Sequence, residues 1–163
     1  MTKTAAPKTN GMRALDQRKI PYEAHHYDES IKSARDVADT LGVPPAAVFK
    51  TLVLVRPAGR PMLVMVAGDK EVDERALARE IGAKEVRMAA RAEAEQLTGL
   101  QTGGIGALAL LHKPFDVFID RDALGHDYIF VNGGRRGLNL RLRTNDLIEV
   151  TGARPVDVGD SSS

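Results

Sequence analysis

Cysteine is absent from this chain, which removes disulfides, thiolate metal ligands and a cysteine nucleophile together. Tryptophan is absent and aromatic residues make up only 4%, so the core has to be built mostly of Val, Leu, Ile and Ala. Charge of one sign is lacking too: 23 Lys and Arg face 22 Asp and Glu, a net of +1. No general electrostatic drive to nucleic acid exists, and any RNA contact must come from a local patch. No stretch approaches the roughly 20 apolar residues needed to span a bilayer. Met1 to Asn10 is polar and carries no apolar run of the secretory kind. These absences lead to the expectation of a soluble cytoplasmic protein with no membrane role.

What is present suits one domain with a real core: 163 residues, 43% of them apolar. Residues 1–9 and 155–163 read as loose tails around a domain at 10–154. A first helix is predicted from Asn10, as its cap, to Lys19, stopped by Pro21. Ser33 opens a second helix that ends at Gly42. Phe49 to Val55 and Met62 to Ala67 form a hairpin around Pro57-Ala58-Gly59-Arg60-Pro61. Asp73 to Ile81 is an amphipathic helix ended by Gly82, and Ala90 to Leu97 a helix stopped at Gly99. Short strands are expected at Tyr22–Tyr27, Glu85–Met88, Phe115–Ile119, Tyr128–Val131 and Leu138–Leu142, with a last turn or helix from Thr144. Strands interleaved with helices predict a mixed sheet in an α/β or α+β domain. With no heptad and no long apolar helix, a monomer is expected.

Three segments carry candidate chemistry. Lys50 lies in Phe49-Lys50-Thr51-Leu52-Val53-Leu54-Val55, where alternation puts it on one face with Leu52 and Leu54. A lysine there either holds an anion or a carbonyl oxygen, or snorkels to solvent. Gly103-Gly104-Ile105-Gly106 could supply backbone donors to an oxyanion; it lacks the Gly-Lys-Ser/Thr of a P-loop, and its bland reading is a tight turn entering a buried strand. Asn132-Gly133-Gly134-Arg135-Arg136-Gly137 is a turn whose arginines could meet phosphates or merely keep a hairpin tip soluble. Asp69, Glu71 and Asp73 read as structural acids before a helix. None of His25, His26, His112 or His126 has a partner at zinc-helix spacing, so neither metal nor cofactor is expected. No Gly-x-Ser-x-Gly elbow exists, which disfavours a serine hydrolase.

The order and spacing of these segments, from Met12 to Ala153, resemble the YbaK/prolyl-tRNA synthetase-associated editing domain family. The markers are Val48-Phe49-Lys50-Thr51-Leu52, the helix Ala76–Lys84, Leu97-Thr98-Gly99 with Gly103-Gly104-Ile105, and Gly133-Gly134-Arg135-Arg136-Gly137-Leu138. The resemblance implies a compact domain around a mixed, barrel-like sheet. It also implies hydrolysis of the ester of mischarged aminoacyl-tRNA, with prolyl-tRNA synthetase as a candidate partner. Carried over, it implies a catalytic set of Lys50, Gly103, Gly104 and Gly134. The implied substrate contacts are Tyr27, Ile105, Gly106, Asn132, Gly133 and Asn139.

This chain departs from the family pattern in places. Gly106-Ala107 stands where many members have a small residue and proline. Asn132 stands where many have serine or another small residue, and Asn139 where many have an acid. Ser33 falls near an aromatic position of cysteine-directed members. These departures argue against assuming Cys-tRNA specificity. Lys113, Arg135 and Arg136 are the candidates for an acceptor-stem patch. The expected mechanism positions a water, or a group of the substrate itself, against an already activated ester. The competing class is a binding module for a tRNA 3′ end, a nucleotide or a protein partner, without turnover.

Overall fold

The computed structural model describes residues 7–159. Five helices are present: α1 (Asn10–Gln17), α2 (Ala34–Leu41), α3 (Glu74–Ile81), α4 (Arg91–Thr98) and α5 (Thr144–Thr151). The eight strands are β1 (Glu23–His26), β2 (Val48–Val55), β3 (Met62–Ala67), β4 (Arg87–Met88), β5 (Asp116–Asp120), β6 (Tyr128–Asn132), β7 (Leu138–Arg143) and β8 (Arg154–Val156). They form one mixed sheet in the order β1-β7-β6-β2-β3-β5-β8, with β4 added to β2. The β2–β3 hairpin is antiparallel, while β2 with β6, β3 with β5 and β5 with β8 run parallel.

Local chemistry accounts for most element ends. The Ser33 hydroxyl accepts from Asp36 N and the Asp73 carboxylate from Ala76 N, capping α2 and α3. Gly42, Gly82 and Gly99 close α2, α3 and α4 in the left-handed conformation. The cap of α1 differs from expectation: it is the Thr9 hydroxyl, accepting from Met12 N, and Asn10 is the first helical residue.

Alternation along the strands divides the core. Phe49, Val53, Leu63, Met65, Ile129, Val131, Leu138 and Leu140 pack with Met12 and Leu15 of α1, Ala94 of α4 and Leu147 of α5. On the other face Leu54, Met62, Val64 and Val66 pack with Leu77 of α3. Val48 and Phe130 pack with Val37 and Ala38 of α2. Every residue of β3 is buried, as befits a strand covered on both sides.

Two expectations change. The apolar run after the glycines does not enter a strand; Ala107–Leu110 coil into a buried 3₁₀ turn against α1. The C-terminal stretch from 155 is not loose as far as the described residues reach. β8 pairs with β5, and Val156 and Val158 are fully buried against Val66 and Leu77. The Val158 carbonyl also accepts from Asp73 N at the start of α3. Removal of residues 154–163 is therefore expected to expose the α3 side of the sheet. Burial of each valine is worth about 1.5–3 kcal/mol, so truncation after Ala153 should lower the urea midpoint sharply or abolish soluble folded protein. An unchanged midpoint would show that β8 contributes nothing.

Candidate active site

The β2–β6 ladder is short: Val48 pairs with Phe130 and Phe49 with Val131, and then the strands part. Beyond that point β2 stays with β3 and β6 stays with β7, as Lys50 pairs with Val66 and Asn132 with Asn139. A crevice opens where the carboxyl end of β6 parts from the first residues of β2 and the two parallel strands go to different neighbours, a break in a sheet of the kind that can hold a ligand. Its free volume is about 140 Å³. Lys50 and Thr51 line one wall, Asn132 and Asn139 the other, Tyr27, Lys32, Ala34 and Val37 the α2 side, and Thr102, Gly103 and Ile105 the rest.

The two glycine loops are clasped together by one side chain. Asn132 Nδ2 donates to the Gly103 carbonyl at 2.9 Å and to the Arg135 carbonyl at 3.3 Å, while its Oδ1 accepts from Gly134 N at 2.6 Å. Arg136 Nε adds a bond to the Thr102 carbonyl at 2.7 Å. The fit requires glycine: a Cβ on Gly104 would sit 2.8 Å from Arg136 N, and one on Gly106 2.5 Å from the Asn132 carbonyl oxygen.

This clasp changes which amides can act on a ligand. The Gly104 amide is committed to the Gln101 carbonyl and the Gly134 amide to Asn132, so neither is free to stabilise an oxyanion, contrary to the expected catalytic set. Among the described residues, the amides of Gly103 and Ile105 donate to no protein group. Both residues line the crevice.

Lys50 is about three-quarters buried, and its Nζ lies 3.6 Å from a carboxylate oxygen of the exposed Glu71. The pairing gives Glu71 a place at the site that its structural reading did not foresee, whereas Asp73 is the helix cap expected. Lys50 thus points into the cleft, with a solvent-facing counter-ion that an incoming anion can displace. The neighbouring Lys70 is committed elsewhere: it reaches the buried Asp120 at 2.8 Å and Asp122 at 3.1 Å, and these carboxylates hold its pKa above the usual lysine value despite partial burial.

On the opposite wall Asn139 Nδ2 donates to the Tyr27 hydroxyl oxygen at 2.9 Å. Burial raises the Tyr27 pKa further above its ordinary value, partly offset by that bond, so the phenol stays protonated at neutral pH. The buried Asn139 Oδ1 and Thr51 Oγ1 have no protein partner. Both atoms are closed off from solvent, so in this structure they lie behind the crevice surface rather than facing it. Among the described residues no histidine and no carboxylate belongs to the crevice lining, and Glu71 stands outside it, paired with Lys50.

Of the residues singled out from sequence, Tyr27, Lys50, Gly103, Ile105, Asn132 and Asn139 line one cavity. Gly104, Gly106, Gly133 and Gly134 stand behind it in the clasped loops. Lys113 follows the 3₁₀ turn and does not line the crevice. Arg136 braces Thr102, and Arg135 Nη1 donates to the Pro7 carbonyl at 2.5 Å. Lys32, Thr51 and Thr102 were not anticipated. Thr51 had a signal in its place beside Lys50, but Lys32 and Thr102 are brought in only by loop packing.

Residues 28–150 match the model of the aminoacyl-tRNA editing domain. The chain belongs to the aminoacyl-tRNA editing domain family. It is 30% identical over 158 residues, 96% of each chain, to EbsC of Enterococcus faecalis, provisionally named a Cys-tRNA(Pro)/Cys-tRNA(Cys) deacylase. It is 36% identical over 113 residues to the proline–tRNA ligase of Citrifermentans bemidjiense, covering 69% of this chain and 19% of the ligase. Among solved structures, hypothetical protein APE2540 superposes with a TM-score of 0.81 at 26% identity, covering 90% of this chain and 98% of its own. A protein described as a trans-editing enzyme for prolyl-tRNA synthetase, provisionally so named, has the same fold. Its TM-score is 0.78 at 24% identity, over 94% of this chain and all of its own.

The Asn132 clasp makes a structural prediction for this member of the editing family. Asn132→Ala removes three hydrogen bonds and leaves the Gly134 amide and two carbonyls unpaired. A cost of about 1–3 kcal/mol is expected, with faster amide hydrogen exchange at Gly104 and Gly134. Unchanged exchange in both loops would show that Asn132 does not hold them.

Proposed function

We propose that this protein is a trans-editing aminoacyl-tRNA deacylase. It hydrolyses the ester of a mischarged tRNA, tRNA-Pro or another tRNA carrying a small amino acid. The observation that carries the reading is the crevice at the β2–β6 fork, where a lysine faces two unengaged backbone amides. The family match and the full-length similarity to EbsC support the same activity.

The 3′-terminal adenosine would enter with its ester carbonyl toward Gly103 and Ile105. A water adds to the carbonyl carbon, and the charge developing on the carbonyl oxygen is met by those two amides. Fixed donors of this kind are worth about 10²–10³ in rate each. The bond from the carbonyl carbon to the ribose oxygen then breaks, and the proton lost by the water ends on that oxygen. Lys50 would hold the terminal phosphate or the carbonyl oxygen, giving up Glu71 to do so. Among the described residues the cavity lining holds neither imidazole nor carboxylate, and Glu71 beside Lys50 is exposed, so the proton would pass to a group of the substrate: its α-amino group or the adjacent ribose hydroxyl. An activated ester needs little more than this positioning.

The small cavity admits a small side chain, and Tyr27, Lys32 and Thr102 are polar residues of its lining. An apolar pocket separates side chains one methylene apart by only about 1–3 kcal/mol, so selectivity would rest on size together with these polar groups. Acting on such a substrate, the protein would work in the cytoplasm beside the translation apparatus. It would act as a monomer, with prolyl-tRNA synthetase as a candidate partner.

The test is a deacylation panel: tRNA-Pro charged with Ala, Cys, Ser, Thr and 2-aminobutyrate, together with cognate Ala-, Ser- and Thr-tRNAs, for wild type and Lys50→Ala. Wild type is expected to turn over one or two small esters. Folded Lys50→Ala should lose at least ~100-fold in kcat/KM. Wild-type rates in that variant would remove Lys50 from the mechanism. Absence of turnover on every ester, with tRNA binding intact, would favour a non-catalytic module.

A further inference from the structure

The face of the sheet that carries Asn132 and Asn139 continues beyond the crevice. Directly opposed residues of antiparallel strands share a face, and the β6–β7 register sets Asn132 opposite Asn139, Phe130 opposite Arg141 and Tyr128 opposite Arg143. The β1–β7 register places His25 beside Asn139 and Glu23 beside Arg141 on that same face. At the far end Tyr128 is one of the few exposed large apolar side chains among the described residues. Two guanidinium groups lie over its ring, Arg141 at 4.0 Å and Arg143 at 5.3 Å. Between this cluster and the crevice, His25 stands edge-on to Phe130 at 5.5 Å. Glu23 is the acid on this stretch, 3.6 Å from Arg141, and it leaves Arg143 without an ion-pair partner among the described residues.

Asn139 and Arg143 lie four residue steps apart along β7, a span on the order of 13 Å at about 3.3 Å per residue. That is beyond the reach of a terminal nucleoside and within the reach of the nucleotides just before it. An exposed ring flanked by two guanidinium groups offers the two features that single-stranded nucleic acid uses: a stacking surface and cations for its phosphates. In a chain of nearly zero net charge, such a local patch is where an RNA contact must lie.

We infer that the single-stranded 3′ segment of the tRNA leaves the crevice along β7. There a base stacks on Tyr128 and phosphates pair with Arg141 and Arg143. This rests on the deacylase reading and adds to it the surface that takes the tRNA. The contact lies beyond α2 on the β1–β7–β6 edge, apart from the loops of Arg135 and Arg136.

The experiment compares wild type, Arg141→Gln, Arg143→Gln, the double variant, Tyr128→Ala and Tyr128→Phe, with folding checked by thermal melting. Binding of uncharged tRNA is measured against salt concentration, and kinetics are measured with aminoacyl-tRNA and with 3′-alanyl-adenosine, which is too short to reach the patch. Each arginine removed should reduce the salt slope by about one. Tyr128→Ala should weaken tRNA binding about tenfold, and Tyr128→Phe should restore it, because stacking is retained. The KM for aminoacyl-tRNA should rise relative to that for alanyl-adenosine, while the kcat ratio stays level.

Unchanged salt slopes and tRNA affinity in the double variant would overturn the proposal. Equal losses on both substrates would do so as well, by showing a structural defect. Failure of wild type to bind tRNA would also sink it. Tight, arginine-dependent binding without turnover on any ester would instead remove the deacylase reading and leave this surface standing.

Discussion

The parallel ladder between β2 and β6 joins the two halves of the sheet through two residue pairs, Val48 with Phe130 and Phe49 with Val131. One half, β2 with β3 and β5, is packed on both faces; the other, β6 with β7 and β1, ends in an exposed strand. Had the ladder continued, Lys50 and Asn132 would face each other as its next rung. Because the strands separate at this point, one side chain from each faces a gap, and the glycine loop after α4 reaches its rim. Sheet twist and the different partners of β2 and β6 keep the gap open.

A gap of this kind exposes backbone polar groups, which must be satisfied or used. Asn132 settles most of them by tying carbonyls and an amide of both loops to itself. What remains unsatisfied is the Gly103 and Ile105 amides, Asn139 Oδ1 and Thr51 Oγ1. All belong to residues that line the same cavity. Rigid loops with a small remainder of unpaired donors and acceptors suit a site that stabilises charge by position rather than by a strong nucleophile. The lining agrees: it holds two lysines and two carboxamides, and the acid at the site, Glu71, stands outside it as the partner of Lys50.

Charge is arranged to complement this. Lys70 is fully engaged by Asp120 and Asp122 and serves the fold. Lys50, twenty residues earlier on β2, has only the exposed Glu71 as an ion-pair partner among the described residues, and remains available. The same contrast holds between Arg136, which braces Thr102, and Arg143, which stands over Tyr128 at the sheet edge. A cation already committed to protein carbonyls or a buried carboxylate has little left to offer a substrate.

Local signals wrote much of this protein into its sequence. Ser33, Asp73, Gly42, Gly82 and Gly99 end helices through groups a few residues away, so they could be read directly. The β2–β3 hairpin could be read for the same reason, from the turn residues between two apolar runs. Lys50, the glycine loop and Asn132 stood out because each breaks its surroundings, a cation among leucines or glycines before an apolar segment. What tertiary structure alone decided depends on residues far apart in the chain. β8 is three residues long and exists because β5 accepts it; Ala107–Leu110 coil because α1 covers them. Lys32 reaches the crevice only because α2 lies over the fork. The amides left free at Gly103 and Ile105 are the remainder after Asn132, twenty-seven or more residues away, has taken its own partners. Likewise Arg141 and Arg143 meet Tyr128 only because strand register brings them onto its ring. Propensity and capping act within a few residues, whereas pairing, burial and the accounting of hydrogen bonds are properties of the whole sheet.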